Sequence, residues 1–251
     1  HYRQADLPMG EFWLNSPTHD KPNDMLDAIS GAHIYGKPII QAEGFTQLRG
    51  NFNETPALLK PLLDRQFCLG INRLVFHVMA LNPDPTRQPG MTLDGIGLFF
   101  NPTQTWWTEA SDFVKYAERC QTLLQQGRPV VDLAVYTGHE MPRRAILPNR
   151  MTIPDGYHYD SFNSDALLHP TDNAYTPAYK ALIVPDARPM NPDNLPLPES
   201  AQEALRHLSI PVLHGSVSAS QLQDLGIQPD AVLPDSILFT HRATKKSDIY
   251  F

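Results

Sequence analysis

Two carboxylates and an imidazole are the side chains whose types and settings point to chemistry. Glu43 follows the apolar run Ile39-Ile40-Gln41-Ala42 and precedes Gly44, where the chain is expected to turn. The run reads as a buried strand of the parallel kind. A carboxylate at its carboxyl end can act as general base or nucleophile in glycoside cleavage. The plainer alternative is an ordinary strand-end salt bridge. Glu11 stands in Pro8-Met9-Gly10-Glu11-Phe12-Trp13, a second strand-end pattern. An acid beside Trp13 suits a sugar: the carboxylate takes hydroxyls and the indole stacks on C–H faces. His77 closes the run Asn72-Arg73-Leu74-Val75-Phe76-His77-Val78 as Glu43 closes the one before it. Adjacent strand ends carrying polar groups form one pocket when the strands are parallel. A hydrogen-bonded core histidine is the alternative. Asn72 and Arg73 open that strand at its opposite end and are expected to be structural. Trp106 and Trp107 end a long loop, where one ring can make a sugar platform while the other fills core. His19, Asp20 and Asn15 follow Glu11 closely enough to reach a ligand or metal.

The elements that position these residues are legible from period and punctuation. Residues 24–35 read as a helix with Asn23 as cap and Gly36 as the left-handed stop. A second helix covers 56–69, with Thr55 as candidate cap and Leu59, Leu62, Leu63 and Phe67 on its apolar face. Strand, helix and strand in succession form a βαβ unit, which implies parallel pairing. The segment 81–107 is Pro/Gly-rich, aromatic and too long for a plain connection, so it reads as a functional loop. Residues 111–126 form an amphipathic helix with Phe113, Tyr116, Ala117, Cys120, Leu123 and Leu124 on one face. After Arg128-Pro129 a new α/β pattern begins. Strands are expected at 130–136, 181–184 and 210–214, a helix at 198–208 and a last strand from Asp248. The fold class is α/β: residues 1–127 as the C-terminal half of a (β/α)8 (TIM-type) barrel, then 128–251 as a small Rossmann-like, amidotransferase-like domain truncated at its end.

The chain has 251 residues, 41% of them hydrophobic and 19% charged, which is enough apolar material for a sizeable core. Its formal charge is -7 and no Lys/Arg stripe exists, which argues against nucleic acid as a partner. No apolar run reaches the roughly 18 to 20 residues of a membrane span. Cys68 and Cys120 are too few for a disulfide framework or zinc set. Gly95-Ile96-Gly97 lacks the third glycine of a dinucleotide site, and His139-Glu140 has no following His at metalloprotease spacing. Neither cysteine sits on a nucleophile elbow, so the second domain reads as catalytically idle. The start at His1 and the finish in Asp248-Ile249-Tyr250-Phe251 read as a piece of a longer chain.

An ordered set of short segments resembles glycoside hydrolase family 106, the α-L-rhamnosidases. It includes Gly10-Glu11-Phe12-Trp13, Ala32-His33-Ile34-Tyr35-Gly36-Lys37, Ala42-Glu43-Gly44-Phe45-Thr46 and Gly70-Ile71-Asn72-Arg73-Leu74-Val75-Phe76-His77. Pro89-Gly90-Met91, Asn101, Thr105-Trp106-Trp107, and Tyr116 with Arg119 continue it. Val131-Asp132-Leu133-Ala134-Val135-Tyr136, Gly156-Tyr157-His158-Tyr159-Asp160, His241-Arg242 and the closing Asp248 to Phe251 complete it. The resemblance implies an inverting enzyme that removes terminal α-L-rhamnose, with calcium near the sugar and no nucleotide cofactor. Glu43 then matches the general base, and Glu11 an acidic residue of the same centre with a calcium contact. Trp13, His77, Trp106, Trp107 and His19 are the expected substrate contacts. The family's general acid lies upstream of anything matching His1. The implied partners are a rhamnose-containing glycoside or polysaccharide and the remaining domains of the parent chain. Many such enzymes are periplasmic or secreted, while these residues carry no address of their own. Two alternatives stand beside this reading: a β-galactosidase-like barrel glycosidase of other specificity, and a non-catalytic carbohydrate-binding protein.

Overall fold

The computed structural model describes residues 1–14, 23–50, 52–84, 86–138, 151–186 and 198–251. Its first half is built on three parallel strands in the order β1 (Met9–Trp13), β2 (Gln41–Thr46), β3 (Arg73–Phe76). Helices α1 (Asn23–Ile34) and α2 (Pro56–Leu69) make the crossovers, and α3 (Ala110–Leu124) follows the long loop. The alternation of strand side chains sorts residues by chemistry. Phe12 and Ala42 face the helices and join a core with Met25, Ala28 and Ile29 of α1, Leu59, Leu63 and Phe67 of α2, and Phe113 and Ala117 of α3. Register places Met9, Gln41 and Arg73 in one row on the other face, and Glu11, Glu43 and Val75 in the next. No described element seals that face: Met9 is 42% and Val75 39% exposed.

Local signals explain the helix limits. Gly36 has φ +60 after α1, in the left-handed region that stops a helix. Pro56 occupies the first turn of α2, where its missing N–H costs nothing. Thr55 takes the expected cap position with extended backbone, yet its side chain makes no capping bond. Asn72 is fully buried and joins two segments. Its Oδ1 accepts from Ile40 N at 2.8 Å and its Nδ2 donates to Pro38 O at 2.9 Å, so the residue before β3 pins the chain entering β2. This matches its structural reading.

The second half contains a four-stranded, all-parallel sheet in the order β6 (Tyr159–Asn163), β5 (Leu133–Gly138), β7 (Ala181–Val184), β8 (Val212–His214). Counted within this sheet, the order is 2-1-3-4, a doubly wound arrangement. Leu133, Val135, Ala181 and Ile183 pack against Val217 and against Leu222 of α6 (Ala219–Asp224). Ala134, Tyr136, Leu182 and Val184 face Leu167 of α4 (Ser164–Leu168) and Ala201 of α5 (Glu199–Arg206). The strand expected from Asp248 forms, outside the parallel sheet. As β10 (Asp248–Tyr250) it runs antiparallel to β9 (His241–Ala243), which pairs with β4 (Arg128–Pro129). Thr244 turns the chain by bonding Ser247, so the segment makes a local hairpin instead of extending the parallel sheet.

Polar contacts fasten the halves. His33 of α1 places Nδ1 2.8 and 3.0 Å from the Asp160 carboxylate on β6, and Ser161 N donates to Ser30 Oγ at 3.0 Å. Arg242 donates to the carbonyls of Gln126 and Gly127. Among the described residues no helix is long and apolar enough to cross a membrane.

Candidate active site

Glu43 is not at a strand end. The ladder continues to Thr46, and Glu11 likewise lies inside β1. The segment after Glu43 stays in the sheet through an irregularity. The β1 partner of Thr46 is Trp13, so one residue of β2 is extra. Phe45 has φ +70, a value bulky side chains rarely adopt, and its ring is fully buried against Phe12 and Phe76. Core packing holds it there. The extra residue reverses the alternation, so Thr46 comes to the face of Glu43.

Three polar groups then converge. Thr46 Oγ1 donates to Glu43 Oε1 at 3.2 Å and lies 3.2 Å from His77 Nδ1. Glu43 Oε1 and His77 Nδ1 are 4.0 Å apart. The Glu43 side chain is 30% exposed and that of His77 18%, so both are reachable from solvent. His77 N donates to Gly44 O at 3.0 Å, and Leu98 N donates to His77 O at 2.7 Å. The peptide bond between His77 and Val78 is cis. Gly97 lies against this histidine: a Cβ there, at φ +89, would stand 2.9 Å from both its Nδ1 and its carbonyl oxygen. Gly97 N donates to Gln47 O, Gln47 Nε2 to Glu54 Oε1 at 2.5 Å, and Trp106 Nε1 to Glu54 O at 2.5 Å. A buried polar chain thereby ties the long loop to the segment after β2.

The structure thus gathers Glu11, Glu43 and His77, with Trp13 at the same end of β1. Trp106 departs from its expected substrate contact. It is 8% exposed and bonded inward, so it supports packing and offers no ring face. Trp107 is half-buried, packs on the core and meets Phe100 edge-on at 5.2 Å. His19, Asp20 and Asn15 lie outside the described residues. Thr46, Phe45 and Gly97 are the site residues that sequence reasoning passed over. Gly97 carried a signal as one of a close pair of glycines, with Gly95, in an aromatic loop, and Gly44 marked a break in the strand without locating the bulge at Phe45. A cavity of about 450 Å³ opens elsewhere, at the junction of the halves, lined by His33, Gly70, Met151, His158 and His241. Glu11, Glu43 and His77 do not line it.

Glu11 can offer a hard carboxylate oxygen to a cation. Among the described residues, no group of three or more His, Cys, Asp or Glu side chains stands ready to hold a metal.

A family model described as alpha-L-rhamnosidase, that of glycoside hydrolase family 106, matches residues 1–193. A curated protein of Formosa agariphila, named "Putative beta-glucuronidase", is 31% identical over 290 aligned positions, covering 98% of this chain and 24% of that protein. The solved structure of a rhamnosidase from Novosphingobium sp. PP1Y superposes with a TM-score of 0.83 at 23% identity, covering 99% of this chain and 29% of the other. This chain therefore spans about a quarter of the length of these relatives. Through a match over most of its length, the chain belongs to glycoside hydrolase family 106, the alpha-L-rhamnosidase family.

Proposed function

We propose that this chain carries the base side of an inverting α-L-rhamnosidase centre. The observation that carries the reading is the placement of Glu43. It is a partly exposed carboxylate on the uncovered sheet face, in register with Glu11 and bridged by Thr46 to His77. In this reading Glu43 takes a proton from water, and the oxygen formed attacks the anomeric carbon on the face opposite the leaving group. The general acid comes from another part of the parent protein, as the family resemblance implies. Glu11, Trp13 and His77 bind the sugar: the carboxylate and imidazole meet hydroxyls, and the indole meets C–H faces. The fold reading that goes with it is part of a (β/α)8 barrel over 1–127, then a small doubly wound domain over 128–251 without catalytic groups. If calcium is bound, Glu11 would offer it a carboxylate oxygen, and the ion would help orient the sugar hydroxyls.

The test uses the full-length parent protein and a panel of aryl glycosides. Wild type is expected to release the aryl group from an α-L-rhamnoside, with β-rhamnose as the first anomer seen by NMR. Glu43→Gln is expected to lose about 10³-fold or more in kcat while keeping its thermal transition. Retained turnover in that variant overturns the base assignment. A second specificity is favoured by one observation, the name of the Formosa relative. Release from a β-glucuronide or β-galactoside but not from a rhamnoside would select that alternative. Sugar binding without release from any glycoside would select a carbohydrate-binding protein.

A further inference from the structure

We infer that Thr46 is a positioning residue that gives Glu43 and His77 fixed, complementary roles, an inference that rests on the proposal that Glu43 is the base. A hydroxyl has one proton to give and lone pairs to receive. Thr46 Oγ1 donates to Glu43 Oε1, so its contact with His77 Nδ1 is completed by the imidazole donating from Nδ1–H. The direction is His77 Nδ1–H to Thr46 Oγ1, then Thr46 Oγ1–H to Glu43 Oε1. This sets the neutral tautomer of His77 and leaves Nε2 as an acceptor for a sugar hydroxyl. It also distinguishes the two oxygens of Glu43. Oε1 is engaged by the hydroxyl. Among the described residues no group bonds Oε2, which is the oxygen that accepts the proton of water.

The fold builds this relay with a strained residue. Without the extra residue at Phe45, Thr46 would point toward the helices. Phe45 at φ +70 turns the 2% exposed Thr46 toward Glu43, and the buried phenyl ring holds the turn in place. Gly97 holds the other end, because any larger residue would press on His77 Nδ1.

The experiment compares Thr46→Val and Thr46→Ser in the full-length protein with an aryl α-L-rhamnoside. Thr46→Val removes the hydroxyl at nearly constant volume. Its kcat is expected to fall about 10- to 100-fold because the base loses its alignment, and KM to rise severalfold because His77 no longer holds Nε2 as an acceptor toward the sugar. The acid limb of the pH–rate profile moves to higher pH, since the carboxylate has lost a donor to its charged form. Thr46→Ser restores both kcat and the limb. If Thr46→Val does not fold, Thr46→Ala removes the same hydroxyl without inserting a methyl group and carries the same expectation. Wild-type kcat and an unmoved limb in the hydroxyl-free variant overturn the relay, and so does a Ser variant as impaired as Val. The two proposals fail differently: turnover surviving Glu43→Gln removes the base itself, whereas a dead Glu43→Gln beside a normal Thr46→Val removes only the relay.

Discussion

Glu11 and Glu43 are direct register partners on adjacent parallel strands, so their side chains leave the same face of the sheet side by side. Neighbouring strands lie about 4.8 Å apart, and two ionised carboxylates at such spacing repel unless a cation or hydroxyl donors lie between them. The pair therefore stands ready for a ligand that brings positive charge or O–H groups. In the proposed mechanism Glu43 would serve the reacting water and Glu11 the binding of the sugar.

This arrangement gives a metal-removal prediction. Chelation of the full-length enzyme with EDTA is expected to lower kcat/KM on an aryl rhamnoside at least tenfold, and added calcium restores it. In Glu11→Gln the activity is already low and the chelator response disappears. A wild-type enzyme indifferent to EDTA after exhaustive dialysis removes calcium from the proposal.

Asn72 links β3 to the chain entering β2 through two buried hydrogen bonds. Asn72→Leu leaves the Ile40 N–H and the Pro38 carbonyl without these partners, at a cost of about 2 to 4 kcal/mol. Chemical denaturation of the full-length protein should show this as a lowered midpoint for the transition containing the first sheet. An unchanged midpoint would contradict the structural role.

His158 gives the pH dependence of stability. Burial holds its imidazole below the usual histidine range. Asp230 and Asp160 pull it upward, and His241 and His33 push it further down. In the unfolded chain the group titrates near 6.5. As pH falls below that value the unfolded state takes up the proton first, so stability drops until the lower folded value is passed. Thermal midpoints are expected to fall between pH 7 and pH 5.5, and His158→Gln should flatten part of that slope. An identical slope in the variant would show that other groups carry the effect.

Much of this was legible residue by residue. The apolar run before Glu43, Pro56 in the first turn of α2 and Gly36 after α1 are local signals, and the strand and helices formed near them. Glu11, Glu43 and His77 stood out as ionisable groups beside short apolar runs, although a salt bridge or a core histidine would leave the same local pattern. The second parallel sheet was readable from the apolar runs at 130–136 and 181–184, of which the first forms a strand from Leu133. The strand at Asp248 was found, but its partner was not. Pairing with His241 to Ala243 depends on the Thr244 to Ser247 turn, while an isolated strand pattern does not name its neighbour.

The sequence by itself determined which elements form and which side chains are capable of chemistry, because period, caps and ionisable groups are properties of a few adjacent residues. Tertiary structure alone decided that Glu11 faces Glu43, that Trp106 is core, and that Thr46 reaches Glu43 and His77. These depend on strand register and on a core that holds Phe45 in an unfavourable backbone conformation, and both arise only when distant segments pack together.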